Sequence, residues 1–352
     1  MIVRVTLAVI GVLLTSIFFS GLGVVPVLAF IPLGFMFESQ RSVATTGSLR
    51  GAIPDAAAWI AFWKKALLFI LLSLPLALVD LPLRRASLIN PDNHLFAFWS
   101  YVSPALWIAT IVHLLLANLR GGGRQYLDLA ASIRCLFQAD PAPRHSAFGE
   151  GAAYLSAVIA RSILLFTRGV RGYVAVAGWL LVPAVLIYFA KDDSWMQGVG
   201  ATMLAISTPL AALAGVRFAV EDRIIAAWDI RDLFRRIWRA PWSVVLAILL
   251  IDLLTAPLLI LKIERPIWEF AWVFNFLCFW AIFPTRLLTA WSYRRADFVH
   301  PRFGFVRVPF GFIGLGVVSA AYALTLFWIH PMTWFGTRLP FVQHAFLLPI
   351  IH

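Results

Sequence analysis

The sequence predicts an all-α, polytopic membrane bundle of about eight spans with amphipathic connector helices on one side. Three observations predict it. Of 352 residues, 61% are hydrophobic and only 13% charged, about half the charged fraction of an ordinary soluble domain. Apolar stretches recur from end to end at roughly the twenty-residue length that crosses a bilayer core as a helix. The Lys and Arg residues crowd into every second gap between these stretches. The mean hydropathy of +0.87 agrees. No sizeable soluble domain fits, so residues 1–352 are expected to form a single integral membrane domain. The net charge of +12 would suggest nucleic acid in a soluble chain. Here the basic residues border apolar spans, so the expected partners are membrane lipids with anionic headgroups, then other membrane subunits, and not nucleic acid.

The spans read as about 4–36, 66–83, 95–118, 172–190, 196–216, 243–262, 267–289 and 309–329. The first is too long for one straight crossing; Pro26 and Pro32 are expected to kink it, or its second half re-enters. Its Arg4, apolar run and small residues Ser20, Gly21 and Gly23 also fit a cleaved signal, so residues 1–22 read as either leader or first span. The next six spans carry Pro75, Pro104, Pro183, Pro209, Pro257 and Pro284 in or near the apolar run. Membrane helices tolerate Pro because neighbours satisfy the freed carbonyls. Trp59, Trp63, Trp99, Trp195, Trp242, Trp268, Trp291 and Trp328 lie near span ends, where an aromatic belt forms.

Orientation follows from charge. The gaps after the first, third, fifth and seventh spans hold 22 of the 29 basic residues, counting Arg286 with the last of them. The positive-inside rule makes these four gaps cytoplasmic and both termini periplasmic, in a bacterial inner membrane. Two connectors look alike: Gln125 to Phe137, before Asp140-Pro141, and Ala227 to Trp238, before Ala240-Pro241. Each reads as a short helix stopped by proline.

The second connector is the best local signal. At 100° per residue, Asp229, Asp232, Arg235, Arg236 and Arg239 share one arc, and Ile230, Leu233, Phe234, Ile237 and Trp238 take the other. Asp232 precedes Arg235 and Arg236 by three and four residues, the favourable order for helix ion pairs. The expectation is an interfacial helix, aromatic side down, in which Arg231, Arg235, Arg236, Arg239 and Trp238 meet anionic lipid or a partner. The competing and favoured reading is a connector that pins two spans at the surface.

Ionisable residues inside spans form the second group. Asp252 sits near the middle of the sixth span, Asp80 deep in the second and His113 in the third. A charge at the bilayer centre costs about 2.5–3.5 kcal/mol even on insertion scales, so such residues face protein or a water cavity, or are neutralised. Asp252, His113 and Asp80 are therefore candidates for an ion or proton relay. The alternative for each is a packed polar group bonded to a neighbouring helix.

Other signals are weak. Gly121-Gly122-Gly123-Arg124 lacks the Lys-Ser/Thr ending of a phosphate loop. Ala211 with Gly215, and Gly316 with Ala320, are small residues four apart and are expected to pack internally. Arg302 to Val308 alternates like a strand but has no partner, so it reads as loop. Cys135 in a basic loop and Cys278 in mid-span are not expected to meet. No catalytic triad, HExxH or CxxC pattern is present. No catalytic, metal or cofactor residues, and no cofactor, are therefore assigned.

Two stretches resemble the bacterial and archaeal membrane family catalogued as domain of unknown function 4013. One is Gly34-Phe35-Met36-Phe37 with Arg41, Gly51 and Pro54-Asp55. The other runs from Arg217 through Glu221-Asp222-Arg223 to Ala226-Ala227-Trp228-Asp229. The resemblance covers about half the chain and implies a helical membrane protein without an established activity. Function is accordingly expected to be that of a small-solute or ion transporter, with an accessory or scaffold subunit as the alternative and an intramembrane lipid-modifying enzyme third.

Overall fold

A computed structural model describes residues 15–23, 25–49, 94–119, 142–190, 193–263, 271–298, 304–333, 336–342 and 345–347, with a few isolated positions between them. Among the described residues every regular element is helical and none is a strand. The helices are α1 (Phe30–Thr46), α2 (His94–Leu119), α3 (Ala142–Ala190), α4 (Ser194–Glu221), α5 (Ile230–Arg239), α6 (Pro241–Thr255), α7 (Ala271–Phe298) and α8 (Gly304–Ile329). Five helical segments are long and apolar enough to cross a membrane: Ser156–Ala190, Ser194–Glu221, Pro241–Lys262, Ala271–Phe298 and Val308–Met332. They coincide with the last five spans read from the sequence. The expected span at 66–83 lies outside the described residues apart from three helical positions, so a total of eight is not established.

The chain divides into two compact units. The first comprises Met1–Gly11 and Ala56–Arg161, the second Val12–Asp55 and Ser162–His352. The first unit contains α2, an apolar helix carrying Pro104, and the opening part of α3. Phe98, Tyr101 and Ile108 stand exposed on α2.

The second unit holds the continuous core. Here α7 packs on α6 and α1, α8 packs on α6 and α4, and α1 packs on α4. Water cannot drive helices together within lipid, so close approach and interhelical polar contacts must do so. The approach of α1 to the Ser162–Ala190 part of α3 shows the first device. A β-carbon at Gly34 would stand 1.8 Å from the Leu165 carbonyl oxygen, and one at Gly169 would stand 1.9 Å from that of Phe30. The two backbones touch with no side chain between them. Gly215 likewise faces inward, toward Val176 and Phe37, whereas a β-carbon at Gly316 would meet nothing within 4 Å. Gly316 is therefore not an internal packing position, contrary to the expectation for its small-residue pair.

The first apolar run is broken rather than kinked. Residues 15–23 are helical, 25–29 form turns around Pro26, and α1 starts at Phe30. Pro32 falls in the first turn of α1, where a missing N–H breaks no helical bond. The other helix ends follow their sequences. Asp193 caps α4, its Oδ1 accepting from the backbone nitrogens of Trp195 (3.0 Å) and Met196 (3.5 Å). Asp222 ends α4 in a left-handed conformation, φ 55°. Pro241 opens α6 at a position that needs no donor. Pro257 ends regular helix after α6 and begins a 3₁₀ segment, Pro257–Lys262. The stretch read as loop after Arg302 is instead helical from Gly304. The alternation there was fortuitous, because the apolar positions belong to the first turns of α8.

Candidate functional site

Two places in the second unit concentrate charge. The first is the end of the bundle where α4 hands over to α5. A 3₁₀ turn, Ile224–Trp228, follows α4, and its Trp228 ring stacks on Trp179 of α3, with centroids 5.1 Å apart and planes at 16°. The Trp179 indole N–H donates to the Ala227 carbonyl at 3.0 Å. Gly178 makes room, since a β-carbon there would meet Trp228 at 2.0 Å. Asp229 then caps α5 by accepting from the Asp232 nitrogen at 3.2 Å.

Asp232 is the hub of this end. It is 5% exposed and its carboxylate receives Arg217 of α4 together with Arg235 and Arg236 of its own helix. Arg217 also reaches Asp229 (2.9 Å) and Glu221 (3.2 Å). Arg236 continues to Asp297 of α7 at 2.9 Å, donates to the Tyr293 carbonyl at 3.1 Å and lies over the Tyr293 ring. Alongside, Asp222 receives Arg168 (3.2 Å) and Arg171 (3.3 Å) of α3, and Arg168 approaches Glu38 of α1 at 3.8 Å. The two ionic clusters together tie five helices, the first joining α4, α5 and α7 and the second α1, α3 and the end of α4.

The wheel of α5 thus has four sectors instead of the expected two. Leu233 and Ile237 are in the core. Asp232 and Arg236 form the paired sector. Ile230, Phe234 and Trp238, at i, i+4 and i+8, make an exposed apolar stripe. Arg231, Arg235 and Arg239 make an exposed basic stripe beside it. Of the residues predicted to meet lipid, Arg236 is the one the structure moves, because its guanidinium is engaged inside the network. On α6, which follows after Ala240, Trp242, Leu246, Leu249 and Leu253 are likewise exposed.

The second place is interior. Arg286 of α7 is 6% exposed and lies seven residues before Tyr293, about 10 Å deeper along the helix at 1.5 Å per residue. Its Nη2 donates to the carbonyls of Phe346 (2.8 Å) and Leu347 (3.4 Å), and its plane faces the Phe37 ring at 5.1 Å. Its Nε is buried without an acceptor among the described residues. Gln40 of α1 donates through Nε2 to the Arg286 carbonyl at 3.2 Å, while its Oε1 is buried without a donor. Between these groups lies a cavity of about 20 Å³, walled also by Ile251, Thr285, Thr289 and Phe346.

Asp252 sits one residue beyond Ile251 but does not line that cavity. Both its carboxylate oxygens are buried with no hydrogen-bond partner among the described residues. Tyr322 of α8 lies within its electrostatic reach. His113 is half-buried on α2, in the other unit. Asp80 lies outside the described residues, as do the Gln125–Phe137 connector and Cys135 apart from scattered positions. Of the candidate relay residues, Asp252 thus belongs to the second unit and His113 to the first. Cys278 is a free, buried thiol near Lys262, which is itself fully buried. No group of three metal-ligating side chains occurs among the described residues.

Sequence reasoning missed Arg286 because it was counted with the charged gap. The signal was present: Ala281-Ile282-Phe283-Pro284-Thr285 precedes it and Leu287-Leu288 follows, so it lies inside an apolar run. Gln40 and Asp297 carried no local signal. No family of known proteins matches the chain, and neither does any curated protein or solved structure.

Proposed function

We propose that this integral membrane protein is of transporter type and handles an ion or small solute in its helical interior. One observation carries the reading: the buried Arg286 guanidinium, its Nε–H unmatched among the described residues and beside a small cavity, sits within an apolar helix long enough to cross a membrane. Intramembrane ionisable groups are expensive and are kept mostly where they line a pathway or a binding site. Asp252, whose carboxylate oxygens are buried without partners among the described residues in a candidate span of the same unit, supports it. The test is flux in proteoliposomes of the purified protein, for protons, alkali cations and halides. Wild-type flux above protein-free vesicles, reduced at least tenfold by Arg286→Gln or Asp252→Asn, is the expected outcome. Wild-type vesicles indistinguishable from empty ones for every species would remove the reading.

A second reading, an accessory or scaffold subunit held by anionic lipid, is favoured by the outer faces of α5. An apolar stripe and a parallel basic stripe, joined to the exposed side of α6, suit a helix lying at the headgroup level. The Arg-rich side is taken as cytoplasmic, in a bacterial inner membrane with both termini periplasmic. Each basic residue near an anionic surface is worth about 1 kcal/mol. Replacing Arg231, Arg235 and Arg239 by Gln should therefore lower retention of phosphatidylglycerol over phosphatidylcholine by roughly a hundredfold. Equal lipid retention by the triple variant and wild type would dismiss this contact.

A further inference from the structure

We infer that the cavity beside Arg286 is a binding site for one small monovalent anion of halide size. The inference names the ionic species for the transporter reading, and rests on that reading for its claim that the bound anion is cargo.

The first argument is charge. A guanidinium carries five N–H donors and cannot be deprotonated in a protein. Among the described residues the Arg286 guanidinium donates from Nη2 to the carbonyls of Phe346 and Leu347. Among the described residues the buried Nε–H finds no acceptor and no carboxylate pairs with the group. Carbonyl dipoles and the Phe37 face soften a positive charge without neutralising it. Arg168, Arg217 and Arg236, at the end of the bundle, each have acidic partners. A buried charge without a counter-charge is the costly case, and an anion in the adjoining space removes it.

The second argument is size and polarity. About 20 Å³ is room for the centre of one water-sized particle. Space of that order favours one spherical ion over a four-oxygen anion such as sulfate or phosphate. Thr285 and Thr289 direct their hydroxyl hydrogens to the carbonyls of Ile282 (2.6 Å) and Thr285 (2.8 Å), so Arg286 is the principal donor at the site. Apart from Gln40, the rest of the wall is apolar, including Val176, Ala211 and Ile251. An apolar wall cannot replace a strong hydration shell, so the site suits a weakly hydrated monovalent ion such as a halide. A neutral water could bridge Arg286 and Gln40 Oε1, but it would leave the charge standing.

The test uses the full-length protein in detergent, in gluconate buffer, titrated with chloride or bromide at constant ionic strength. Thermal midpoint is the readout, because an anion bound only by the folded state raises it with concentration. The midpoint should rise with halide and not with sulfate. Arg286→Gln should abolish the rise. Gly215→Ala keeps the guanidinium but puts a methyl 3.3 Å from Val176 across the cavity wall. It should weaken the halide response at least tenfold with the protein still folded. Bromide crystals should show one anomalous peak beside Arg286. Identical midpoints in halide and gluconate mean that water alone occupies the cavity and overturn the inference. So does a halide response that survives in both variants, or an equal response to sulfate. Halide binding without halide flux would leave the site standing and end the transporter reading. Cation or proton flux without halide binding would do the reverse.

Discussion

Replacing Asp232 by Ala tests whether the ionic network at the α5 end holds the bundle together. The carboxylate is buried and receives Arg217, Arg235 and Arg236. Two of these arginines are also sheltered, with side-chain exposures of 13% for Arg217 and 14% for Arg236. Removing one member of a buried pair costs about 3–5 kcal/mol, because the remaining charge is stranded. The stranding is partial here. Arg217 keeps Glu221 and Asp229, and Arg236 keeps Asp297 and the Tyr293 carbonyl. Arg235, 59% exposed, loses a pair worth at most about 1 kcal/mol. The expected loss for Asp232→Ala is therefore about 2–4 kcal/mol, below the full cost of a stranded pair. Asp232→Asn, which keeps an acceptor but not the charge, should lose about half of that, in line with neutral against charged hydrogen bonds. Reversible unfolding in mixed micelles of graded sodium dodecyl sulfate, followed by tryptophan fluorescence, measures both. If Asp232→Ala costs no more than Arg235→Ala, the network is ornamental and the reasoning fails.

Three further outcomes are expected. Ala at Gly34 or Gly169 drives a methyl into a backbone carbonyl and should cost about 3 kcal/mol or prevent folding, whereas Ala at the open Gly316 should stabilise by about 0.5–1 kcal/mol; equal effects in the same micelle titration would refute the contact between α1 and α3. Gly178→Ala should displace Trp228 from Trp179, with loss of the near-ultraviolet dichroism of the stacked pair and about 1–3 kcal/mol of stability; an unchanged spectrum would count against the stack. Asp193→Ala removes the cap of α4 and should cost about 1 kcal/mol, with Asp193→Asn close to wild type as the check.

How much of this was legible in the sequence depends on the range of the interaction. Helix α4 and the Pro241–Lys262 segment were readable because a long apolar run in lipid has one solution, a helix with its backbone satisfied internally. The Asp232 pairs with Arg235 and Arg236 were readable as well, since i+3 and i+4 spacing is local. The orientation of α5 was not. A two-sector wheel assumes that charge faces outward, and Arg217, twelve to fifteen residues upstream of Asp229 and Asp232, is what lets Asp232 turn inward. The Arg286 cavity depends on Gln40, separated from it by 246 positions, and on carbonyls near the far end of the chain. Neither has a periodic signature, so tertiary contact alone reveals it.

The meeting of Gly34 with Gly169 has a consequence for motion. Helices that touch through side chains slide past each other by switching rotamers, because methyl groups can yield. Where a carbonyl rests against an α-carbon there is nothing to yield. A one-residue slip would bring Leu33 or Phe35 onto Leu165. This contact is therefore a rigid one, and relative sliding of helices in the second unit falls to the side-chain-mediated contacts of α6, α7 and α8.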